Sequence, residues 1–405
     1  MNIEQIILDK IGDMRNEIIE FHQKIIQFPS ENPPGRYKEI SKFVENRMNE
    51  IGLDTKNKRH NVIGEWGSTQ GKTLILYGHL DTVEVFKGWT IDPFKGEIIN
   101  DKIYGRGSAD NKASVTAEIF AAKALIESGV NLNGKLLVTA AIDEEMGGLR
   151  GVDYLLSKGI IKGDACLLGD GPSNYPVAYC GGAIFITFMI KGKQAHGMAY
   201  PDLPVPYRNE YSGINAIQKM VRILNFLKDL QEEFNKQESK YPITSDHPSK
   251  ISHINFAIIN GGTKISTVPD QCFLSCSIHI IPEQSVENIK KRIIDFVEEL
   301  KKQDPDLNIT VQIPLSFEPQ TLDLNSKFAK AVKKSVKIVF NEDREFKMFL
   351  PTTDAHWFQE LGIETVLFGP IRAINKAHAS DEFVYIDDLI NTTKMFAITA
   401  LNYLI

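Results

Sequence analysis

Between Leu74 and Lys112, the apolar run LILY leads straight into His79 and Asp81, and further on Gly105 and Gly107 precede Asp110. Residues two apart in an extended chain point to the same face, so the imidazole and the carboxylate emerge side by side. The two glycines allow a tight backbone turn before Ala109 and Asp110 enter an Ala-rich helical segment. Asp110 is thereby placed at a strand-to-helix junction. In an open α/β sheet, the carboxyl ends of the strands are where ligands bind. Few patterns constrain a chain more tightly, because the strand, the turn and the helix must all be present for these side chains to meet.

The remainder of the chain follows suit. Apolar residues at helical spacing (Ile3, Ile7, Ile11, Met14, Ile18) predict an amphipathic helix over residues 3–27, and a second runs from Lys38 to Ile51, closed by Gly52. Strands are predicted at Asn61–Glu65, Thr73–Tyr77, Lys135–Ile142 and Ala165–Leu168, with a helix over 112–128, and this alternation reads as an α/β layer. After Gly181 and Gly182 the order becomes strand, helix, strand, strand, helix, strand, the ferredoxin-like arrangement. From Asn325 the alternation resumes and ends in a helix over Ile386–Leu404. At 405 residues the chain exceeds a single core. We expect a discontinuous catalytic domain (1–181 and 316–405) interrupted by a smaller lid and dimerisation domain (182–315).

Composition narrows the function classes. The net charge of -6 and the lack of a basic run argue against a nucleic-acid partner. The longest apolar run near mid-chain, Ala183–Ile190, is too short to span a bilayer, and the amino terminus lacks a signal-peptide core. The expectation is a cytoplasmic protein with no membrane association. Cys166, Cys180, Cys272 and Cys276 match neither a disulfide framework nor a zinc-finger spacing and read as buried thiols.

Three more clusters repeat the opening theme. DEEMGG (143–148) follows the apolar run LLVTAAI, Asp170 follows LLG, and His378 lies in KAHASDEF after the Gly369-Pro370 turn. Taken alone, the first suits a solvated acidic turn and the last an ordinary loop histidine. Together they are four strand ends of one layer presenting carboxylates and imidazoles and no thiolate. That is the donor set of a dinuclear hydrolase, with Zn²⁺ the usual occupant and Co²⁺ or Mn²⁺ the alternatives. A nicotinamide site is excluded because GRGS has no third glycine at the required spacing.

In these motifs, together with Gly88-Trp89, DPF at 92–94, Gly261-Gly262 and FGP at 368–370, the chain resembles the dinuclear zinc aminoacylases, acetylornithine deacetylases, succinyl-diaminopimelate desuccinylases and glutamate carboxypeptidases. The resemblance implies a zinc-peptidase-like catalytic domain with a mixed central sheet flanked by helices, plus an inserted ferredoxin-like α+β lid. It implies that His79 and Asp170 hold one metal, that Glu145 and His378 hold the other, and that Asp110 bridges them. It further implies Glu144 as general acid/base, Asp81 as the group orienting His79, and a cis Asp110-Asn111 peptide. His196, in GKQAHG, matches a lid histidine that reaches the partner subunit's active site in a homodimer.

The chain also departs from the family's pattern. Ser266 stands where relatives carry Asn, and His279 where they carry an Arg that grips a substrate carboxylate; an imidazole cannot offer that bidentate fork. The 197–212 loop is longer than in relatives, and Arg208, Lys264 or Arg372 are candidates for reshaping the pocket. His253 and His356 read as structural. The expected function is hydrolysis of an N-acyl amino acid, with a dipeptidase or carboxypeptidase acting on a short peptide as the alternative within enzymes and a non-catalytic metal-binding scaffold as the alternative outside them.

Overall fold

A computed structural model describes residues 2–198, 210–244 and 249–405; Arg208 and most of the loop after Met198 lie outside them. The larger sheet has nine strands. Its middle consists of four parallel strands in the order Lys135–Ala141, Thr73–His79, Ala165–Leu168, Glu364–Leu367. Asn61–Gly67 and Asp54–Lys58 extend one side as antiparallel neighbours. Val177–Cys180, Gln320–Thr321 and Lys347–Phe349 complete the other. The central strands are apolar on both faces, as a sheet covered on both sides requires.

Alternate strand residues feed two cores. Leu74 and Leu76 pack under a helical layer that includes Ile3–Asp13, Arg15–Ile26, Lys38–Glu50, Lys112–Glu127, Lys327–Phe340 and Ile386–Leu404. Ile75 and Tyr77 pack on the other side against the short helices Val152–Ser157 and Ala355–Glu360. Because the four central strands are parallel, all deliver their carboxyl ends to one edge. Those ends are His79, the turn after Ala141, the turn after Leu168 and the segment after Leu367, which carry the His79, Glu144-Glu145, Asp170 and His378 clusters; Asp110 comes instead from the loop between Lys102–Tyr104, a strand of a separate small sheet, and helix Lys112–Glu127.

The intervening segment forms a separate antiparallel sheet in the order His253–Gly261, Gln271–Ile280, Gly182–Lys191, Asn308–Phe317. Helices Ala216–Phe234 and Val286–Gln303 cover one face, burying Ile184, Ile186, Cys276 and Ile278. This is the ferredoxin-like order the sequence predicts.

Two expectations need correcting. The first helix is two, Ile3–Asp13 and Arg15–Ile26, broken at Met14, where the weak helix formers Gly12 and Asp13 end the first segment. A small three-stranded sheet, Glu97–Ile99, Lys102–Tyr104 and Phe383–Tyr385, was not predicted at all. All four cysteines are buried and free, and no helix among the described residues is long and apolar enough to cross a membrane.

Candidate metal centre

At the shared strand edge His79 is completely buried. Its Nε2 lies 3.2 Å from Asp110 Oδ1, yet makes no hydrogen bond, so the two atoms flank a common point without bonding each other. The second oxygen of the same carboxylate, Asp110 Oδ2, lies 3.2 Å from His378 Nε2. Glu145 Oε2 completes that side at 3.1 Å from the same nitrogen. Two donor clusters result: His79, Glu144 and Asp170, and Asp110, Glu145 and His378. Within each, one ligand atom per residue lies within 4.8 Å of the others. An orphaned buried nitrogen and an all-oxygen-and-imidazole donor set, with Asp110 facing both imidazoles, fit a pair of divalent cations.

Local geometry follows from the chain. Asp143 adopts left-handed backbone (φ 75°) and starts the single 3₁₀ turn Glu144–Met146, which brings adjacent glutamates to the strand end. The Asp110-Asn111 peptide is cis, and Asn111 Oδ1 accepts the amide of His79 at 3.2 Å. Both carboxylate oxygens of Asp81 are engaged, accepting the amides of Glu144 and Glu145 at 3.2 Å each. The orienting role expected of Asp81 is therefore differently built: its backbone carbonyl lies 3.0 Å from His79 Nδ1, and its carboxylate oxygen 3.5 Å. The carbonyl sets the imidazole, and the carboxylate sets the glutamate turn.

The electrostatics reflect carboxylates crowded out of water. Burial pushes Asp170 up to about 8 and holds Glu144 well above the usual carboxylate range. His378, between Asp110 and Glu145, is raised to about 11. For His79 burial opposes the charged form, but the Asp110 and Asp81 carboxylates outweigh it and raise the imidazole. Asp110 is held low because the two imidazoles outweigh its burial.

One family model matches residues 75–402, that of peptidase family M20/M25/M40. The chain belongs to this family. It is 26% identical to an N-formyl-4-amino-5-aminomethyl-2-methylpyrimidine deformylase of Bacillus subtilis, over 95% of this chain and 94% of that one. It is 24% identical to a probable succinyl-diaminopimelate desuccinylase of Staphylococcus epidermidis, over 85% and 88% of the two chains. Among solved structures, a dinuclear metal-binding peptidase of Bacillus subtilis matches with a TM-score of 0.71 at 14% identity, covering 97% of this chain and 99% of that one. The chain thus has the fold of an M20 peptidase, a catalytic domain with a lid domain, and is a hydrolase of carbon–nitrogen bonds.

The other residues singled out in the sequence lie away from this convergence. His196 is exposed on the lid, where Ala195–His196 pairs with Thr267–Val268 and the imidazole accepts the amide of Met198 at 3.2 Å. Ser266 is its neighbour, its carbonyl accepting the amide of Gly197 at 2.8 Å. Arg372 is ion-paired with Asp388 and bonded to Ser173, so it is not free to reshape a pocket. Lys264 lines a lid cavity of about 580 Å³ beside Gly197. His279 stacks on His253 with ring centroids 4.9 Å apart and planes 14° apart, and burial lowers His279 to about 4. His356 is buried with its Nδ1 2.6 Å from the carbonyl of Thr353.

Sequence reasoning missed three supports. Asn32 donates to Asp81 and Asp143 at 3.1 and 3.2 Å. Tyr77 donates its hydroxyl to Asp354, which is buried. Arg106 and Glu382 form a wholly buried ion pair. The only sequence signal for that last pair is that the residues sit inside strings already quoted, GRGS and KAHASDEF.

Proposed function

We propose that this chain hydrolyses the amide bond of an N-acyl amino acid, using two divalent cations, Zn²⁺ in the first instance with Co²⁺ or Mn²⁺ as substitutes. The observation that carries this reading is Asp110, whose two oxygens each face a different imidazole at 3.2 Å. His79 and Asp170 would hold one ion, Glu145 and His378 the other, and Asp110 both. Bound there, the ions would polarise the scissile carbonyl and bring a bound water's pKa towards about 7.

The chain's own residues supply the rest. Glu144, whose burial favours its protonated form in the metal-free site, would be ionised by the positive charge of bound cations, and as a carboxylate would take the attacking water's proton and return it to the departing amine. Its backbone is fixed by the hydrogen bond that its amide donates to Asp81 Oδ1. Retention of this glutamate beside a complete donor set speaks against a non-catalytic scaffold.

A specific feature favours a second reading of the substrate. The resemblance puts His279, which stacks on His253, where relatives carry a carboxylate-gripping Arg, and burial lowers His279 to about 4, so it would be neutral at pH 7. An amine without a carboxylate suits this surface, and one relative carries the name of such a deformylase. The deciding experiment is hydrolysis by the metal-loaded protein of N-acetyl-ornithine, N-succinyl-diaminopimelate, N-formyl and N-acetyl arylmethylamines, and dipeptides, with Glu144→Gln as the blank. Turnover of dipeptides alone would favour the peptidase alternative, and no turnover of any compound would sink the enzyme reading. If carboxylate-free amines are preferred, His279→Arg should move the preference towards N-acyl amino acids.

A homodimer through the lid belongs to the same reading. The strand His253–Gly261 lies at the open edge of the lid sheet and leaves Phe256, Ile258 and Ile259 exposed. Apolar edges of this kind seek a partner strand, and pairing there would let His196 donate to the oxyanion of the neighbouring site.

A further inference from the structure

The Arg106–Glu382 ion pair is wholly buried, with side chains 1% and 0% exposed and Nη1 to Oε2 at 2.6 Å. Its bonds radiate to the metal centre. Glu382 accepts the amides of Gly107, Ala109 and Asp110 at 3.1, 2.9 and 3.1 Å, which fixes the loop carrying the Asp110 carboxylate. Arg106 Nη2 donates to the carbonyl of Ala379, next to His378, at 3.3 Å. It also donates to the carbonyl of Glu84 at 3.4 Å. The residue before Glu84, Val83, donates its amide to Glu145 Oε1 at 3.1 Å. Asp110, Glu145 and His378 come from three distant parts of the chain, and each is tied to this pair directly or through one neighbour. The pair also reaches His79 through one neighbour, since the His79 amide donates to Asn111 beside Asp110 at 3.2 Å, whereas no hydrogen bond among the described residues joins it to Asp170.

We infer that Arg106 and Glu382 are positioning residues for the Asp110–Glu145–His378 position, and that breaking their ion pair empties that position, where all three donors depend on the pair, before the His79–Asp170 position, which shares only Asp110 and the His79 amide with it. This rests on the two-metal reading above. Three carboxylate and imidazole donors converge on a point only if their backbones are held against mutual repulsion. A buried carboxylate that binds three consecutive loop amides, itself neutralised by a guanidinium, provides that hold before any cation arrives. Groups that orient ligands in this way typically change metal affinity 10- to 100-fold when removed.

The test is metal content per chain after reconstitution of the full-length protein with Zn²⁺ and dialysis. Wild type should retain two ions, and Glu382→Gln and Arg106→Lys one, with affinity for the second weakened about 10- to 100-fold. Lys219→Met, which breaks the largely buried Lys219–Asp304 pair in the lid, serves as the control for general destabilisation and should retain two. Two ions in folded Glu382→Gln and Arg106→Lys, or loss of one in Lys219→Met, would overturn the inference. Should both variants fail to fold, hydrogen exchange of metal-free wild type decides. The amides of Gly107, Ala109 and Asp110 should be protected there, and free exchange would overturn the inference. Wild type holding fewer than two ions would instead sink the two-metal reading, and this inference with it.

Discussion

At the scale of single residues, the site turns on which groups can hold a charge and where. Glu144→Gln keeps the shape of the side chain and removes its proton chemistry. We expect the metal content to stay at the wild-type level and kcat to fall by about 10² to 10⁴, the usual worth of a general acid/base, as read by initial rates and metal analysis together. Proton competition gives a second prediction. Asp170 at about 8 and His378 at about 11 are both largely protonated at pH 7 in the metal-free protein. Loading must therefore expel protons, so apparent affinity rises with pH and falls as pH drops. Calorimetric titration in buffers of different ionisation enthalpy should report net proton release at pH 7, and the gain in Tm on adding metal should be larger at pH 8 than at pH 6. His79, Glu145 and Asp170 could be singled out in the sequence because each closely follows an apolar run, whereas Asp110 and His378 follow turns and gain their meaning from the motifs of the family the chain resembles. Arg106 and Glu382 could not: 276 positions apart, each looks like an ordinary surface charge until the fold buries it.

At the scale of elements, four parallel strands explain why clusters so far apart in sequence share one edge, and the lid's bare strand explains why a second copy is expected. Replacing Ile258 and Ile259 by Lys should yield monomers by light scattering, with lost turnover if His196 works across the interface. Mixing inactive Glu144→Gln with inactive His196→Ala and allowing subunits to exchange should restore about a quarter of wild-type activity, since half the dimers would then carry one complete site. Mixtures that stay inactive would place His196 outside the reaction. Long apolar runs made most helices and central strands legible in advance. The strand Asp54–Lys58 was not, because DTKNK has no apolar residue and gains its conformation only from its partner Asn61–Gly67. The Met14 break was likewise hidden, since the apolar spacing continues across it.

At the scale of the whole molecule, the sheet is assembled out of chain order. Ala165–Leu168 and Val177–Cys180 are close in sequence, yet Glu364–Leu367 lies between them and hydrogen-bonds to both. A chain ending after Gly362 would lack that strand and His378, leaving one edge of Ala165–Leu168 and of Val177–Cys180 without the partner between them. We expect such a truncation to aggregate on expression, while one ending a few residues before Ile405 stays soluble, as judged by the soluble fraction and sedimentation. During synthesis the ribosome delivers the lid before the piece that closes the sheet, so the growing polypeptide must keep a strand-wide slot open while a complete domain dangles from its rim. If two cations bind as proposed, completion of the His378 position is consequently one of the last events in the protein's birth, since a nascent chain that stalls before it carries four of the five donors and lacks the one that closes the cage.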